Sequence, residues 1–78
     1  MAVRLTAEQC ERLRQGRERV GLTQVALAER LGVTSQHVNM IESGKKSPSL
    51  DVLQRLGSEL GLEIAVKTTV SIQRKRRR

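Results

Sequence analysis

The chain has 78 residues, which is enough for one small domain, and it contains no Phe, Tyr or Trp. A core built only from aliphatic side chains is thin for a monomer of this size, so association with a second subunit is expected. One cysteine and one histidine exclude an intrachain disulfide and a structural zinc site and offer no nucleophile–base pair, so we expect no enzyme activity, no metal and no cofactor.

Much of the excess positive charge lies at one end of the chain. The formal net charge is +7, and residues 74–78, RKRRR, hold five of the fifteen basic groups. The rest of the chain has ten basic and eight acidic residues, so a nucleic-acid site in the body depends on the placement of side chains more than on total charge. The tail has three interpretations: a non-specific contact to phosphates, an idle solvated segment, or a contact to an acidic protein.

No stretch of the sequence is suited to a membrane. No apolar run approaches the roughly 18 residues that span a bilayer, and the N-terminal MAVRLTAEQ lacks the apolar centre of a signal peptide. The single unpaired cysteine fits a reducing cytosol. We therefore expect a cytoplasmic protein with no membrane partner.

Residues that start and end helices predict four helices in residues 1–61. Thr6, followed three residues later by Gln9, is a capping box that begins the first helix. Thr23 and Thr34 can cap the second and third helices, and Pro48 lies near the start of the fourth. Each helix is followed by a glycine that can end it: Gly21, Gly32, Gly44 and Gly61.

The first helix carries a charged residue on its apolar face. Arg17 lies at helical spacing from Leu13 and Val20. A buried guanidinium needs a paired acceptor, and Glu42, four residues after the apolar Val38, faces inward on the third helix. We predict an Arg17–Glu42 ion pair with a structural role, joining the first helix to the third.

The third helix begins with three uncharged side chains that form hydrogen bonds. Ser35, Gln36 and His37 occupy its first turn, and Val38 and Ile41 have the spacing of a buried face. A protein surface with hydroxyl and amide groups and little charge is suited to reading the edges of bases. The alternative is an exposed polar helix start with no partner.

After residue 61 the apolar spacing changes from helical to alternating. Leu62, Ile64 and Val66 begin a half-buried strand that continues to residue 72. No Gly, Pro or Asn interrupts residues 62–72, so we expect one strand and no hairpin. A lone strand leaves its backbone groups unpaired, which predicts antiparallel pairing with a second copy in a homodimer. Residues 73–78 are expected to form a disordered basic tail.

The stretch LTQVALAERLGVTSQHVNMIESGKKSPSLDVLQRLGSELGL resembles the Cro/C1-type (lambda-repressor-like, XRE) helix-turn-helix family, over about residues 8–61. The carrying motifs are Thr23-Gln24, LAERLGV and IESGKKSPSL. The strand after the fourth helix departs from phage repressors and is similar to HipB-like antitoxins. The resemblance implies an all-α helix-turn-helix bundle of four helices plus one C-terminal β-strand that pairs with a second chain.

The resemblance also assigns roles to residues around the third helix, which becomes the recognition helix. Ser35, Gln36 and Asn39 are expected to contact bases, while His37 faces either the DNA or solvent. The expected phosphate contacts lie on flanking elements: Thr23, Gln24, Thr34, Ser43, Lys45 and Lys46. Gln24 is also implied to brace the recognition helix. The alternatives are pure capping for Thr23 and Thr34 and a solvated turn for residues 43–46.

Together these expectations describe a DNA-binding repressor. It would bind double-stranded palindromic operator DNA as a homodimer, with half-sites about 34 Å or a multiple apart. The strand and the HipB-like resemblance favour the antitoxin of a toxin–antitoxin operon, with a HipA-like kinase as toxin partner and a location at the prokaryotic nucleoid. The alternative is a stand-alone, phage-repressor-like regulator with no toxin partner.

Overall fold

The computed structural model describes residues 2–66 and 70–75. Four helices are followed by a two-stranded antiparallel sheet. The elements are α1 (Ala7–Arg19), α2 (Gln24–Leu31), α3 (Ser35–Glu42), α4 (Leu50–Leu60), β1 (Leu62–Val66) and β2 (Val70–Arg74). The four predicted helices are therefore confirmed.

The predicted caps begin the helices as expected. The Gln9 N–H donates to Thr6 Oγ1 at 3.1 Å and the Thr6 N–H donates to Gln9 Oε1 at 2.9 Å, which completes the capping box of α1. Thr23, Thr34 and Ser49 each accept a hydrogen bond from the backbone of the first turn that follows. These side-chain oxygens satisfy N–H groups that would otherwise lack a partner at the helix ends.

A continuous aliphatic core joins all four helices and the sheet. Leu13, Leu27, Ile41 and Leu53 are each at most 1% exposed, and Leu62 and Ile72 of the sheet belong to the same cluster. The N-terminal segment adds to this core in a way that the sequence did not predict. Val3 is buried, and its N–H donates to the carbonyl of Pro48 at 2.7 Å; further members of the cluster include Ala28, Leu31, Val38, Leu56 and Leu60.

The prediction of a lone C-terminal strand is wrong. β1 and β2 form a hairpin within the chain, with Ile64 opposite Ile72 and Val66 opposite Val70. The backbone groups that were expected to need a second chain are thus partly satisfied internally. β2 ends at Arg74, and the Lys75 N–H donates to the Gly61 carbonyl at 3.0 Å. Gln73 and Arg74 of the predicted disordered tail therefore pair with β1, and residues 76–78 lie outside the described residues.

The hairpin packs closely on α4 because Gly57 has no side chain. A Cβ atom added there would lie 2.6 Å from Ile64 Cγ1 and 2.9 Å from the Leu62 carbonyl oxygen. α1 holds the other strand: Gln9 Nε2 donates to the Val70 carbonyl at 2.6 Å. The hairpin is thus held between two helices of the same chain.

The described residues hold neither a membrane-crossing helix nor a cluster of metal-ligating side chains. Within residues 2–66 and 70–75, no helix is both long and apolar enough to cross a membrane. Over the same residues, no three His, Cys, Asp or Glu side chains are placed to hold a metal ion.

Candidate nucleic-acid interface

A tight turn sets the angle between α2 and α3. Gly32 follows α2 in the left-handed backbone region, with φ of 72°, where a residue with a Cβ would be strained. The Val33 N–H donates back to the Ala28 carbonyl at 3.0 Å. Leu27 of α2 and Val38 of α3 are buried in the common core, so α3 is fixed against α2 and its opposite face is exposed.

That exposed face carries the three predicted base-contacting residues. Ser35, Gln36 and Asn39 are exposed, whereas Val38 and Ile41 are each 1% exposed. The side chains of Ser35 and Gln36 form no hydrogen bond to another described residue, so their hydroxyl and amide groups are available to a ligand. His37 is partly buried and its backbone N–H serves the cap of α3.

The predicted ion pair between α1 and α3 is present. Arg17 Nε lies 2.7 Å from Glu42 Oε2, and Arg17 Nη2 lies 3.1 Å from Glu42 Oε1. Arg17 Nη1 also donates to the Leu22 carbonyl at 2.9 Å. The side chains are only 12% and 6% exposed, and the hydrogen bond from Arg17 to Glu42 raises the pKa of Arg17 against the opposing effect of burial. The pair therefore fixes α3 to α1 beneath the exposed face.

Gln24 connects this buried pair to the surface of α3. Its Nε2 donates to Glu42 Oε1 at 3.2 Å, and its Oε1 accepts from Asn39 Nδ2 at 3.4 Å. From the resemblance, Gln24 was predicted to contact a phosphate and to brace the recognition helix. The sequence did not indicate that Glu42 is its partner. A glutamine at the start of α2 and an inward-facing glutamate at the end of α3 are the signal that could have suggested the contact.

The residues predicted to contact phosphates flank the exposed face of α3. Thr23 Oγ1 and Thr34 Oγ1 accept from the N–H groups of Ala26 and His37 at 3.0 and 3.1 Å. Because each oxygen acts as an acceptor in its cap, each hydroxyl hydrogen is free to be donated to a phosphate. Capping and phosphate binding are therefore compatible at these two residues.

The turn after α3 presents its side chains differently. Ser43 Oγ donates to the Met40 carbonyl at 3.2 Å, so this hydroxyl must rotate before it can donate to a phosphate. Lys45 and Lys46 are exposed, and their N–H groups donate to the same Met40 carbonyl at 2.9 and 3.2 Å. The backbone of the turn is thus held against α3 and the two ammonium groups extend from it.

The three residues predicted for the dimer strand have different environments. Leu62 is buried and Ile64 packs against the core of its own chain, whereas Val66 is 42% exposed. The first two side chains therefore stabilise the hairpin on its own domain. A contact between two copies would have to use the backbone edge of β1 and the exposed Val66.

Comparisons with known proteins agree with this geometry. A family described as "Helix-turn-helix" matches residues 13–67. An uncharacterized HTH-type transcriptional regulator of Methanothermobacter thermautotrophicus is 47% identical over 51 residues, which are 65% of this chain and 74% of that protein. A propionyl-CoA carboxylase regulator of Cereibacter sphaeroides is 35% identical over 63 residues, which are 81% of this chain but only 14% of that protein.

Proposed function

The chain belongs to the Cro/C1-type helix-turn-helix family of DNA-binding transcriptional regulators, and we propose that it is a repressor that binds a palindromic operator as a homodimer. The observation that carries this proposal is the exposed, uncharged face of α3 formed by Ser35, Gln36 and Asn39. Amide and hydroxyl groups both donate and accept hydrogen bonds, which suits the edges of bases in the major groove.

Each base-contacting residue has a role that its position supports. Ser35 and Gln36 lie in the first turn of α3, the part of a recognition helix that enters the groove most deeply. Asn39 lies one turn later on the same face. A bidentate contact from either amide to adenine would discriminate against other bases by about 1–3 kcal/mol.

Groups on either side of α3 would hold the duplex without reading its sequence. The hydroxyls of Thr23 and Thr34, together with Gln24 at the start of α2, lie where backbone N–H groups and the helix dipole favour an anion. Lys45 and Lys46 would bind phosphates of the DNA backbone beyond the end of α3. Contacts of this kind position the protein and make its affinity depend on salt.

The hairpin supports a specific form of the dimer. The hydrogen bond from Lys75 to Gly61 sets the alternation of the antiparallel ladder. In that alternation, the backbone groups of Leu62, Ile64 and Val66 face away from β2. The free edge of β1 is therefore the surface that a second copy would pair with, across a two-fold axis, to form a four-stranded sheet.

The opposite edge of the hairpin is less suited to pairing. Gln9 and Arg12 of α1 donate to the outward carbonyls of Val70 and Ile72, at 2.6 and 3.4 Å. Within the described ranges, the outward backbone groups of Ile64 and Val66 on β1 have no such hydrogen bonds. The side chains of Gln9 and Arg12 therefore cover the β2 edge, and the β1 edge is the one available for dimerisation.

Two biological roles are compatible with this DNA-binding dimer. The resemblance to HipB-like antitoxins and the C-terminal β structure support an antitoxin that represses its own operon and binds a HipA-like kinase, at the nucleoid of a prokaryotic cytoplasm. The relatives named as regulators support a stand-alone regulator. Co-purification of a kinase from the source cell, together with a kinase gene beside this gene, distinguishes the antitoxin; the absence of both refutes that role.

Selection of bound sequences from a random pool of duplex DNA tests the main proposal. We expect a two-fold symmetric site with half-sites separated by about 34 Å or a multiple of this distance. Gln36→Ala should lose about 1–3 kcal/mol on that site and relax the preference at one base pair in each half-site. Equal loss on every sequence would show that Gln36 does not read a base, and a pool with no enriched sequence would refute sequence-specific binding.

A further inference from the structure

We propose that Glu42 and Gln24 fix the direction in which the Asn39 amide faces, and so determine which orientation of a base pair Asn39 accepts. The inference rests on the proposed function, in which Asn39 contacts a base edge. It adds a positioning role for two residues that lie behind the contacting face. A continuous series of hydrogen bonds runs from the buried ion pair to the surface of α3.

The series begins at an acceptor that cannot donate. The Glu42 carboxylate receives two hydrogen bonds from Arg17, at 2.7 and 3.1 Å, and one from Gln24 Nε2, at 3.2 Å. Because an ionised carboxylate only accepts, Gln24 must turn its NH₂ group towards Glu42. The reverse orientation would bring the Gln24 oxygen against a carboxylate oxygen in a site where the Glu42 side chain is 6% exposed.

The orientation of Gln24 then determines that of Asn39. With its NH₂ group on Glu42, Gln24 presents Oε1 to Asn39, whose Nδ2 donates to it at 3.4 Å. If Asn39 turned its amide over, two oxygens would meet and the hydrogen bond would be lost. Asn39 therefore keeps Oδ1 and one N–H for a ligand, in a fixed order along α3.

A fixed order of acceptor and donor distinguishes a base pair from its inverse. Adenine presents an N6 donor and an N7 acceptor in the major groove, and exchanging A·T for T·A moves this pair of groups to the other strand. An amide that could turn freely would adapt to more than one arrangement. An amide held by Gln24 should prefer one, by a factor of roughly 5 to 150.

Two substitutions at Gln24 separate this role from a simple phosphate contact. Gln24→Met removes the hydrogen bonds, so the affinity ratio for the cognate and inverted pair at the Asn39 position should fall to about twofold or less. Gln24→Lys can still pair with Glu42 but only donates, so Asn39 should turn its Oδ1 towards the lysine and the preference should reverse. Asn39→Ala identifies the base pair concerned, and Gln54→Lys, at an exposed residue of α4, is the control for added charge and should leave the ratio unchanged.

The measurements are binding titrations on the selected operator and on versions with each base pair inverted in turn. The proposal is overturned if both Gln24 variants weaken all these duplexes equally while the ratio at the Asn39 position stays at its wild-type value. Nuclear Overhauser effects in the free protein give a second readout. Contacts from the Asn39 Nδ2 protons to the Gln24 side chain are expected in the wild type, and their absence there would overturn the proposal. Wild-type protein that binds every duplex alike would refute base reading itself, and the amide orientation would then be decided by the free-protein spectra.

Discussion

Removing one partner of the Arg17–Glu42 pair should destabilise the domain far more than removing a partner of the exposed Arg30–Glu59 pair. The informative single variants are Arg17→Met and Glu42→Leu, because each leaves one charged group without its main partner inside the protein. The double variant removes both charges at once. Arg30→Met and Glu59→Leu, with their own double variant, form the matched control cycle at the surface.

The structure sets the expected magnitudes. Side-chain exposure is 12% for Arg17 and 6% for Glu42, against 57% for Arg30 and 32% for Glu59. Breaking a buried pair leaves an uncompensated charge and costs about 3–5 kcal/mol, whereas a solvated pair contributes about 0–1 kcal/mol. A domain of 78 residues has a total free energy of unfolding of about 4–12 kcal/mol. Either buried single variant should therefore lose a large fraction of the free energy of unfolding, with a melting temperature lowered by at least about 12 °C.

Urea unfolding followed by circular dichroism at 222 nm is the suitable assay, since the chain contains no Trp, Tyr or Phe to report by fluorescence. The double variant Arg17→Met/Glu42→Leu should recover much of the loss, because two aliphatic side chains replace two buried charges. If the buried single variants lost no more than about 1 kcal/mol, in the range of a solvated pair, Arg17 and Glu42 would be behaving as surface charges. The account of a rigid support beneath α3 would then be wrong.

Three further predictions concern the hairpin and the core. Gly57→Ala should destabilise the domain by about 1–3 kcal/mol in urea unfolding, since the added Cβ would lie 2.9 Å from a backbone oxygen. The control Gly16→Ala should be neutral or slightly stabilising, because the nearest contact of its Cβ is a leucine methyl group at 3.3 Å. Equal effects of the two variants would contradict the close packing of β1 on α4. Val66→Pro removes an outward N–H from the free edge of β1 and should yield monomers in sedimentation equilibrium. The control Arg74→Pro removes an outward N–H from the β2 edge and should leave the dimer intact. A dimer that survives Val66→Pro would refute pairing through β1. Burial raises the pKa of the Cys10 thiol above its ordinary value of 9.0, so the folded state should lose stability as the pH rises above about 9, where this thiol ionises readily only in the unfolded chain. Alkylation of Cys10 in native buffer at pH 8 should also be much slower than alkylation in urea. Equal alkylation rates would show that the thiol is accessible in the folded protein.

The helical part of the fold was predictable because its signals are local. Thr6, Thr23 and Thr34 cap helices by contacts to residues three positions away, and the residue types that make such short-range contacts can be identified from the sequence. The Arg17–Glu42 pair spans 25 residues, yet it was predictable since a charged residue on an apolar face needs a partner. By contrast, the contact between Gln24 and Glu42 depends on the angle between α2 and α3, which no local pattern specifies.

The hairpin was missed because the alternation of apolar residues passes through it unbroken. Leu62 and Ile64 in β1 and Val70 and Ile72 in β2 are all even-numbered, and all four pack against the core. Three residues separate Val66 from Val70, so the parity of the inward-facing positions is the same in both strands. A single strand and this hairpin therefore give the same pattern of period two. The requirement for Gly, Pro or Asn at the turn was too strict, since three-residue hairpin connections are common.

The distribution of charge explains why specificity has to come from neutral side chains. Among the described residues, four of the eight acidic side chains are paired with arginines: Glu11 and Glu18 with Arg14, Glu42 with Arg17, and Glu59 with Arg30. The near-neutral body thus offers a weak general attraction to DNA, and Lys45 and Lys46 place positive charge at the end of α3. A protein with a weak general attraction loses little affinity to non-specific sites. In the proposed function, base contacts from Gln36 and from Asn39, whose amide is held by Glu42 through Gln24, account for most of the difference between an operator and other DNA.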